Sequence, residues 1–156
     1  MNISKINEED IEKHLFENIG KLDSNLKPIK RQFKINVGVI DILAKDTKMD
    51  GVYAVIEIKK GSITCEAVVQ VLRYTIYLND KFSKYNTRKF IPIVIGSSLE
   101  QSIHLKKLLR YFEGLPDVER DNFVYYRLCG VDLDGCSFDW HDIKNLDYTK
   151  EYDEEV

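Results

Sequence analysis

The sequence has no apolar run approaching the length of a membrane-spanning helix, and no basic-then-apolar leader of the kind that directs secretion. Cysteine is sparse and odd in number, with Cys65, Cys129 and Cys136 the only three, which is unlike a disulfide framework. A reducing cytoplasm is the expected setting. Internal repeats and long linkers are missing too. So is net positive charge: 23 Lys and Arg stand against 26 Asp and Glu, a formal net charge of -3. Taken whole, that balance argues against a polyanion partner. What is present is ordinary for a globular protein: 156 residues, 44% hydrophobic and 31% charged, enough for one domain with a real core.

The distribution of charge says something different from its sum. Met1 to Phe112 carries 19 Lys/Arg against 13 Asp/Glu, and Glu113 to Val156 carries 4 against 13. A basic body followed by an acidic end can attract a polyanion even though the molecule is acidic overall; equally, the acidic end can serve solubility alone. The expected organisation is a single domain over residues 1–147 and an acidic, disordered tail over 148–156.

Hydrophobic spacing predicts a helix from Glu8 to about Leu22, with Asn7 as N-cap, Glu8, Glu9 and Asp10 at the positive end of the dipole, and Ile11, Leu15, Ile19 and Leu22 as the apolar stripe. On that wheel Glu8 lies near the middle of the stripe and Glu12 near its edge. A carboxylate there is costly unless it meets a cation or a metal. Strand signals follow at Lys30–Ile35, Val37–Ala44 and Val52–Lys59, with an Asp-Gly turn before the last, and they read as an antiparallel meander. Glu66 to about Leu78 reads as a helix with Val68, Leu72 and Thr75 or Ile76 facing inward. Phe90–Ile95 reads as a buried strand that tolerates Pro92 only at an edge or its start. Ser98 and Gln101 form a capping-box pattern for a helix running to Phe112, closed by Gly114 and Pro116. Phe123–Leu133 reads as a last strand beside Phe90–Ile95. The order α-β-β-β-α-β-α-β predicts an α/β domain: a mixed central sheet flanked by helices.

The chemistry is concentrated in the meander. Side chains alternate along a strand, so Glu57 and Lys59 project from one face, and Asp41 on the preceding strand comes close if the hairpin pairs in register. Two carboxylates a few ångströms apart repel unless a divalent cation sits between them. A hard, oxygen-ligated ion such as Mg²⁺ or Mn²⁺ suits the arrangement, and could polarise a phosphate and activate water. Lys59 would position that water or stabilise developing charge. Gly38 allows close approach of another backbone or a ligand. Gln70 and Tyr74, four apart on the next helix with Arg73 beside them, would overlook the site. Glu8 or Glu12 could add a further metal contact. The competing account is an Asp–Lys or Glu–Lys ion pair inside VGVIDILA and VYAVIEIK.

At these residues the sequence resembles the PD-(D/E)XK nucleases, and within them the nuclease domain of the mismatch endonucleases called NucS or EndoMS. The matching pieces are NEEDIEKHLFENIGKL, GVIDILAKD, YAVIEIKKG and AVVQVLRY, which span Asn7 to about Leu78. The resemblance implies a restriction-endonuclease-like fold with a catalytic core over residues 7–78. It implies metal ligation by Asp41, Glu57 and the carbonyl of Ile58, a catalytic role for Lys59, and supporting roles for Gln70 and Tyr74. The opening-helix carboxylate matches Glu8 best, while a general E-x-x-L pattern favours Glu12. The mismatch endonucleases carry an N-terminal domain for dimerisation and DNA binding. This chain starts almost at the nuclease helix, so the expectation is a catalytic module whose recognition comes from a homodimer, a partner protein or the acidic C-terminal region.

Other residues carry weaker signals. Lys27, Lys30, Arg31 and Lys34 precede the site strand and, with Lys60 and Arg73, are placed for contact with a nucleic-acid backbone. Cys129, Cys136 and His141 match no common zinc spacing, so packing is the better reading. His104 and the Lys106-Lys107-Arg110 cluster read as a solvated helix face. Trp140, Tyr125 and Tyr126 could stack on unpaired bases, but edge packing is the safer reading. The leading expectation is a Mg²⁺- or Mn²⁺-dependent endonuclease acting on DNA. The alternatives are a non-catalytic nuclease-fold binding or scaffold module, or a nuclease acting on RNA or activated by a partner or nucleotide, since such a site reads phosphates rather than sugars.

Overall fold

A computed structural model describes residues 7–82, 88–96, 98–100, 103–105, 107, 124–129 and 137–142. The first helix, α1, runs Glu8–Glu17, and its N-terminus is capped as the sequence predicts. Asn7 accepts from the Asp10 N–H at 2.8 Å, and Asp10 accepts from the Asn7 N–H at 3.2 Å, so two otherwise unpaired donors are satisfied reciprocally. The helix is shorter than its apolar stripe. Asn18 ends it, sending its backbone N–H to the carbonyls of His14 and Leu15 and its side-chain amide to His14. Ile19 and Leu22 reach the core from a 3₁₀ turn, Ile19–Lys21, and the residue after it.

The strands are β1 (Leu26–Ile35), β2 (Gly38–Asp46), β3 (Val52–Ile58), β4 (Ser62–Ile63), β5 (Lys89–Gly96), β6 (Ser98–Leu99), β7 (Val124–Cys129) and β8 (Ser137–Asp142), and the second helix, α2, is Cys65–Phe82. Among the described residues one sheet has the order β1-β2-β3-β5-β7-β8, and β4 pairs with β6 in a second, two-stranded sheet. The meander β1-β2-β3 is antiparallel, β3 to β5 and β5 to β7 are parallel, and β8 returns antiparallel at the far edge. The expected mixed sheet with flanking helices is therefore present.

The interior strands are covered on both sides, which is why VYAVIEI and FIPIVIG read as nearly continuous apolar runs. On one face Ile11, Leu15 and Ile19 pack against Ile42, Ala44, Ala54, Ile56, Ile58, Ile93 and Ile95. On the other, Ala67, Val68, Val71, Leu72 and Leu78 of α2 pack against Leu43, Val55, Phe90 and Val94. Thr75 faces inward and donates its hydroxyl to the Val71 carbonyl at 2.6 Å, while Ile76 is exposed. Helix α2 runs a turn past Leu78. In that turn the Asn79 side-chain amide ties the helix to β5, donating to the Phe90 carbonyl and accepting from the Phe90 N–H.

Three expectations are corrected. Pro92 lies in an interior strand, opposite Val55. Among the described residues the ladder with β7 begins at Ile93, one residue past the proline. Ser98 belongs to β6, beside Ser62, and is not a helix cap. The strand at Val124 lies beside β5 as expected but is followed by another, β8. Residues 103–105 and 107 are helical, and His104 is exposed. The helix end at Phe112, Gly114 and Pro116, and the acidic tail, lie outside the described residues, as do the side chains of Tyr125, Tyr126, Cys129, Cys136, Trp140 and His141.

Candidate active site

The β2–β3 ladder runs from Lys45 opposite Tyr53 to Ile42 opposite Ile56, and stops there. Asp41 and Glu57 would be the next pair. Strand β3 instead continues beside β5 as far as Ile58 opposite Ile95, so β2 and β3 part where the two carboxylates begin. Asp41 fills part of the gap: its Oδ2 accepts the Ile58 N–H at 2.8 Å, a bond the ladder no longer makes. The next residue, Lys59, donates its backbone N–H to the Ile95 carbonyl at 2.8 Å. The segment carrying Glu57, Ile58 and Lys59 is thus held from both sides.

Glu57 is 4% exposed, and among the described residues its Oε2 has no hydrogen-bond partner. Its Oε1 lies 3.8 Å from Lys59 Nζ, too long for a direct hydrogen bond. Burial, then the negative charge of Asp41, pushes the Glu57 carboxyl up to about 8, against the pull of Lys59; Glu8 and Glu12 add to the rise. Burial likewise raises Asp41 to about 6. The Ile58 N–H, Lys59 and Gln32 hold that shift down, and Glu12 adds to it. Two adjacent carboxyls that resist ionisation, one with an orphaned buried oxygen, form a donor set a hard cation would complete.

The opening helix departs from its wheel. Glu8 is exposed and Glu12 is 6% exposed, the reverse of the expected order. Helix α1 buries its apolar stripe only from Ile11 onward, so Glu8, in its first turn, lies short of the packed part and accepts the Lys60 N–H at 3.1 Å. Glu12 accepts from Arg31 Nε at 3.0 Å and from Gln32 Nε2 at 2.8 Å. Both stay near the pair: the charge of Glu12 raises Asp41 and Glu57, and that of Glu8 raises Glu57. Among the described residues no three His, Cys, Asp or Glu side chains form a group that could hold a metal ion as they stand.

Gln70 and Tyr74 are brought together on α2, with Gln70 Nε2 donating to the Tyr74 hydroxyl at 2.6 Å. The close approach that Gly38 permits is to Tyr74. A β-carbon at Gly38 would stand 2.6 Å from Tyr74 Cε1, and φ there is 154°. Arg73 lies over the Tyr74 ring and reaches the Val37 carbonyl at 3.4 Å. Among the described residues neither Gln70 nor Tyr74 hydrogen-bonds to Asp41, Glu57 or Lys59. They flank the start of β2 instead. Lys27, Lys30 and Lys34 are exposed along β1, whereas Arg31 turns to Glu12. Gln32, which no sequence signal singles out, contacts two of the carboxylates: besides Glu12, it donates to Asp41 Oδ1 at 3.4 Å.

The proteins this chain is similar to are endonucleases. It is 29% identical to Endonuclease NucS of Methanocaldococcus jannaschii over 65% of this chain and 40% of that protein, and 32% identical to Endonuclease NucS of Pyrococcus horikoshii over 69% and 39%. Among solved structures, an EndoMS–dsDNA complex matches with a TM-score of 0.57 at 27% identity over 70% of this chain and 42% of that one. A repair endonuclease from Pyrococcus abyssi matches with 0.56 at 26% identity over 69% and 44%. The model of the endonuclease NucS C-terminal domain matches residues 7–115, and the chain belongs to that family. The match extends beyond Leu78, where legible motifs run out. The chain spans about two fifths of the length of these curated relatives.

Proposed function

We propose that this chain is a metal-dependent endonuclease module with a PD-(D/E)XK site, hydrolysing phosphodiester bonds in DNA. The observation that carries the reading is Glu57, a buried carboxylate with an orphaned oxygen, set beside Asp41 where the strand ladder stops. Such a group is costly unless a cation completes it. Asp41 and Glu57, with the carbonyl of Ile58, would hold Mg²⁺ or Mn²⁺. A bound divalent ion would polarise a phosphate and lower the pKa of water.

The chain's own residues do the rest. Lys59 is one step from Ile58 and 32% exposed at its side chain, so its ammonium can reach a phosphate in solvent. There it orients the attacking water or stabilises charge gathering on the phosphoryl oxygens. Gln70 and Tyr74 brace the start of β2, and hence the approach to Asp41. Lys27, Lys30, Lys34, Lys60 and Arg73 would meet the nucleic-acid backbone. Recognition of a particular DNA structure would come from a second copy or a partner protein.

The test is cleavage of labelled single-stranded, duplex and mismatched DNA with Mg²⁺ or Mn²⁺, comparing wild type with Asp41→Ala. Cleavage that disappears in the mutant and with EDTA is expected. Equal cleavage by both proteins sinks the reading. One observation favours a second reading, a nuclease-fold binding module: among the described residues no three His, Cys, Asp or Glu side chains form a group that could hold a metal ion as they stand. Under that reading DNA is bound without being cut. RNA in the same assay tests the remaining substrate alternative.

A further inference from the structure

Arg31 and Gln32 are neighbours on β1, and a regular strand would send their side chains to opposite faces of the sheet. Both instead end on one carboxylate, Arg31 Nε on Glu12 Oε1 and Gln32 Nε2 on Glu12 Oε2. What allows this is the Gln32 backbone, whose φ of 51° makes it the one non-glycine residue with positive φ among those described. The β1–β2 partners Arg31–Ile42 and Phe33–Ile40 bracket the kink, which leaves Gln32 opposite Asp41. A left-handed glutamine inside a strand is sterically unfavourable and persists only where its surroundings hold it. If the kink alone were needed, glycine would supply it at no steric cost. The side chain therefore calls for an explanation.

Its amide supplies one. A carboxamide carries two N–H donors, and Gln32 Nε2 directs them to Glu12 Oε2 at 2.8 Å and Asp41 Oδ1 at 3.4 Å. The other Asp41 oxygen accepts the Ile58 N–H. Asp41 is thus held at both oxygens, and Glu12, paired with Arg31, is the anchor on the far side of the amide. We propose that Gln32 is a positioning residue: its amide, delivered by the left-handed kink in β1, clamps Asp41 to Glu12 and holds it in the orientation that the metal pair with Glu57 requires. The proposal rests on the reading of Asp41 and Glu57 as metal ligands. It also gives buried Glu12 a part in the site without making it a ligand.

The experiment is calorimetric titration of Mn²⁺ into the full chain, as wild type, Gln32→Gly and Gln32→Asn, with thermal melts of each without metal. Both substitutions suit a left-handed residue; glycine removes the amide, and asparagine ends it one methylene short. Metal-free melting temperatures should not fall, while the Mn²⁺ dissociation constant rises about 10- to 100-fold in both variants, as for lost outer contacts to metal ligands. Wild-type affinity in either variant overturns the proposal and leaves the metal site standing. Weakened binding accompanied by a lowered melting temperature in both assigns Gln32 to the fold, and overturns it as well. Absence of Mn²⁺ binding by the wild type overturns the metal-site reading itself, and the role of Gln32 with it.

Discussion

The two ends of the β2–β3 pair are made from similar sequence and do opposite things. At one end Ile42, Leu43 and Ala44 face Ile56, Val55 and Ala54 across a regular ladder, and all six are buried. At the other the ladder stops, and Asp41 and Glu57 stand where the next pair would be. The first end gains from every contact it makes. The second holds two carboxyls raised well above their ordinary values, and one of their buried oxygens has no partner among the described residues. Stability and candidate chemistry are separated along a single hairpin by one residue step.

Substitutions at each end should therefore fail differently. The largest effect is expected at the carboxylate end, where Asp41→Ala and Lys59→Ala should each lower cleavage by at least about 10²–10³-fold in a gel assay while the melting temperature holds. Ile56→Ala, one step away in the packed end, should lower unfolding free energy in urea by roughly 2–5 kcal/mol. Folded Ile56→Ala protein should still cut. A mutant in which both properties fell together at Asp41 would dissolve the distinction.

Acidity sharpens it. Glu57 shifts from an ordinary 4.5 to about 8 in the folded chain, so the folded state binds its proton more tightly than the unfolded state does. The metal-free protein is then favoured below pH 4.5, loses that advantage as pH rises towards 8, and gains nothing further above it. Asp41 acts in the same sense between 3.8 and about 6. Glu57→Gln should flatten the fall and stabilise the metal-free protein at pH 8 by roughly 1–3 kcal/mol. Mn²⁺ should stabilise the wild type at that pH and not the mutant. Melting curves across pH, with and without the ion, measure both.

A smaller effect is expected at Gly38. Gly38→Ala must displace the Tyr74 ring, at a cost of roughly 1–3 kcal/mol by thermal unfolding. Tyr74→Phe, which keeps the ring but drops the bond to Gln70, separates the packing from the hydrogen bond. The smallest is at the cap of α1, where Asn7→Ala should cost about 1 kcal/mol. Circular dichroism on heating would show it.

The sequence makes much of this legible because the strands leave period-two and fully apolar patterns, and because Asp41, Glu57 and Lys59 interrupt those patterns with charges that packing alone does not justify. The meander, both helices and the buried strand β5 follow from such local signals. The exchange of burial between Glu8 and Glu12 does not, since a helical wheel fixes relative angles and not where along its length a helix meets the sheet. Pro92 misleads because a single proline does not fix whether its strand gains a neighbour on each side. Gln32 is invisible for another reason: a left-handed residue inside a strand depends on contacts with residues 12 and 41, and no nearby glycine marks it.

The kink has a consequence for how copies of the protein meet. Among the described residues strand β1 is an edge of the main sheet, and an exposed edge is a template on which a second chain can add a strand. The irregularity between Pro28 and Lys30, the left-handed residue at Gln32, and exposed Lys27, Lys30 and Lys34 interrupt that edge within a few residues of one another. A straight strand from a neighbour cannot follow it. The distortion that turns two side chains toward one carboxylate also breaks the regular border on which a neighbouring strand would add.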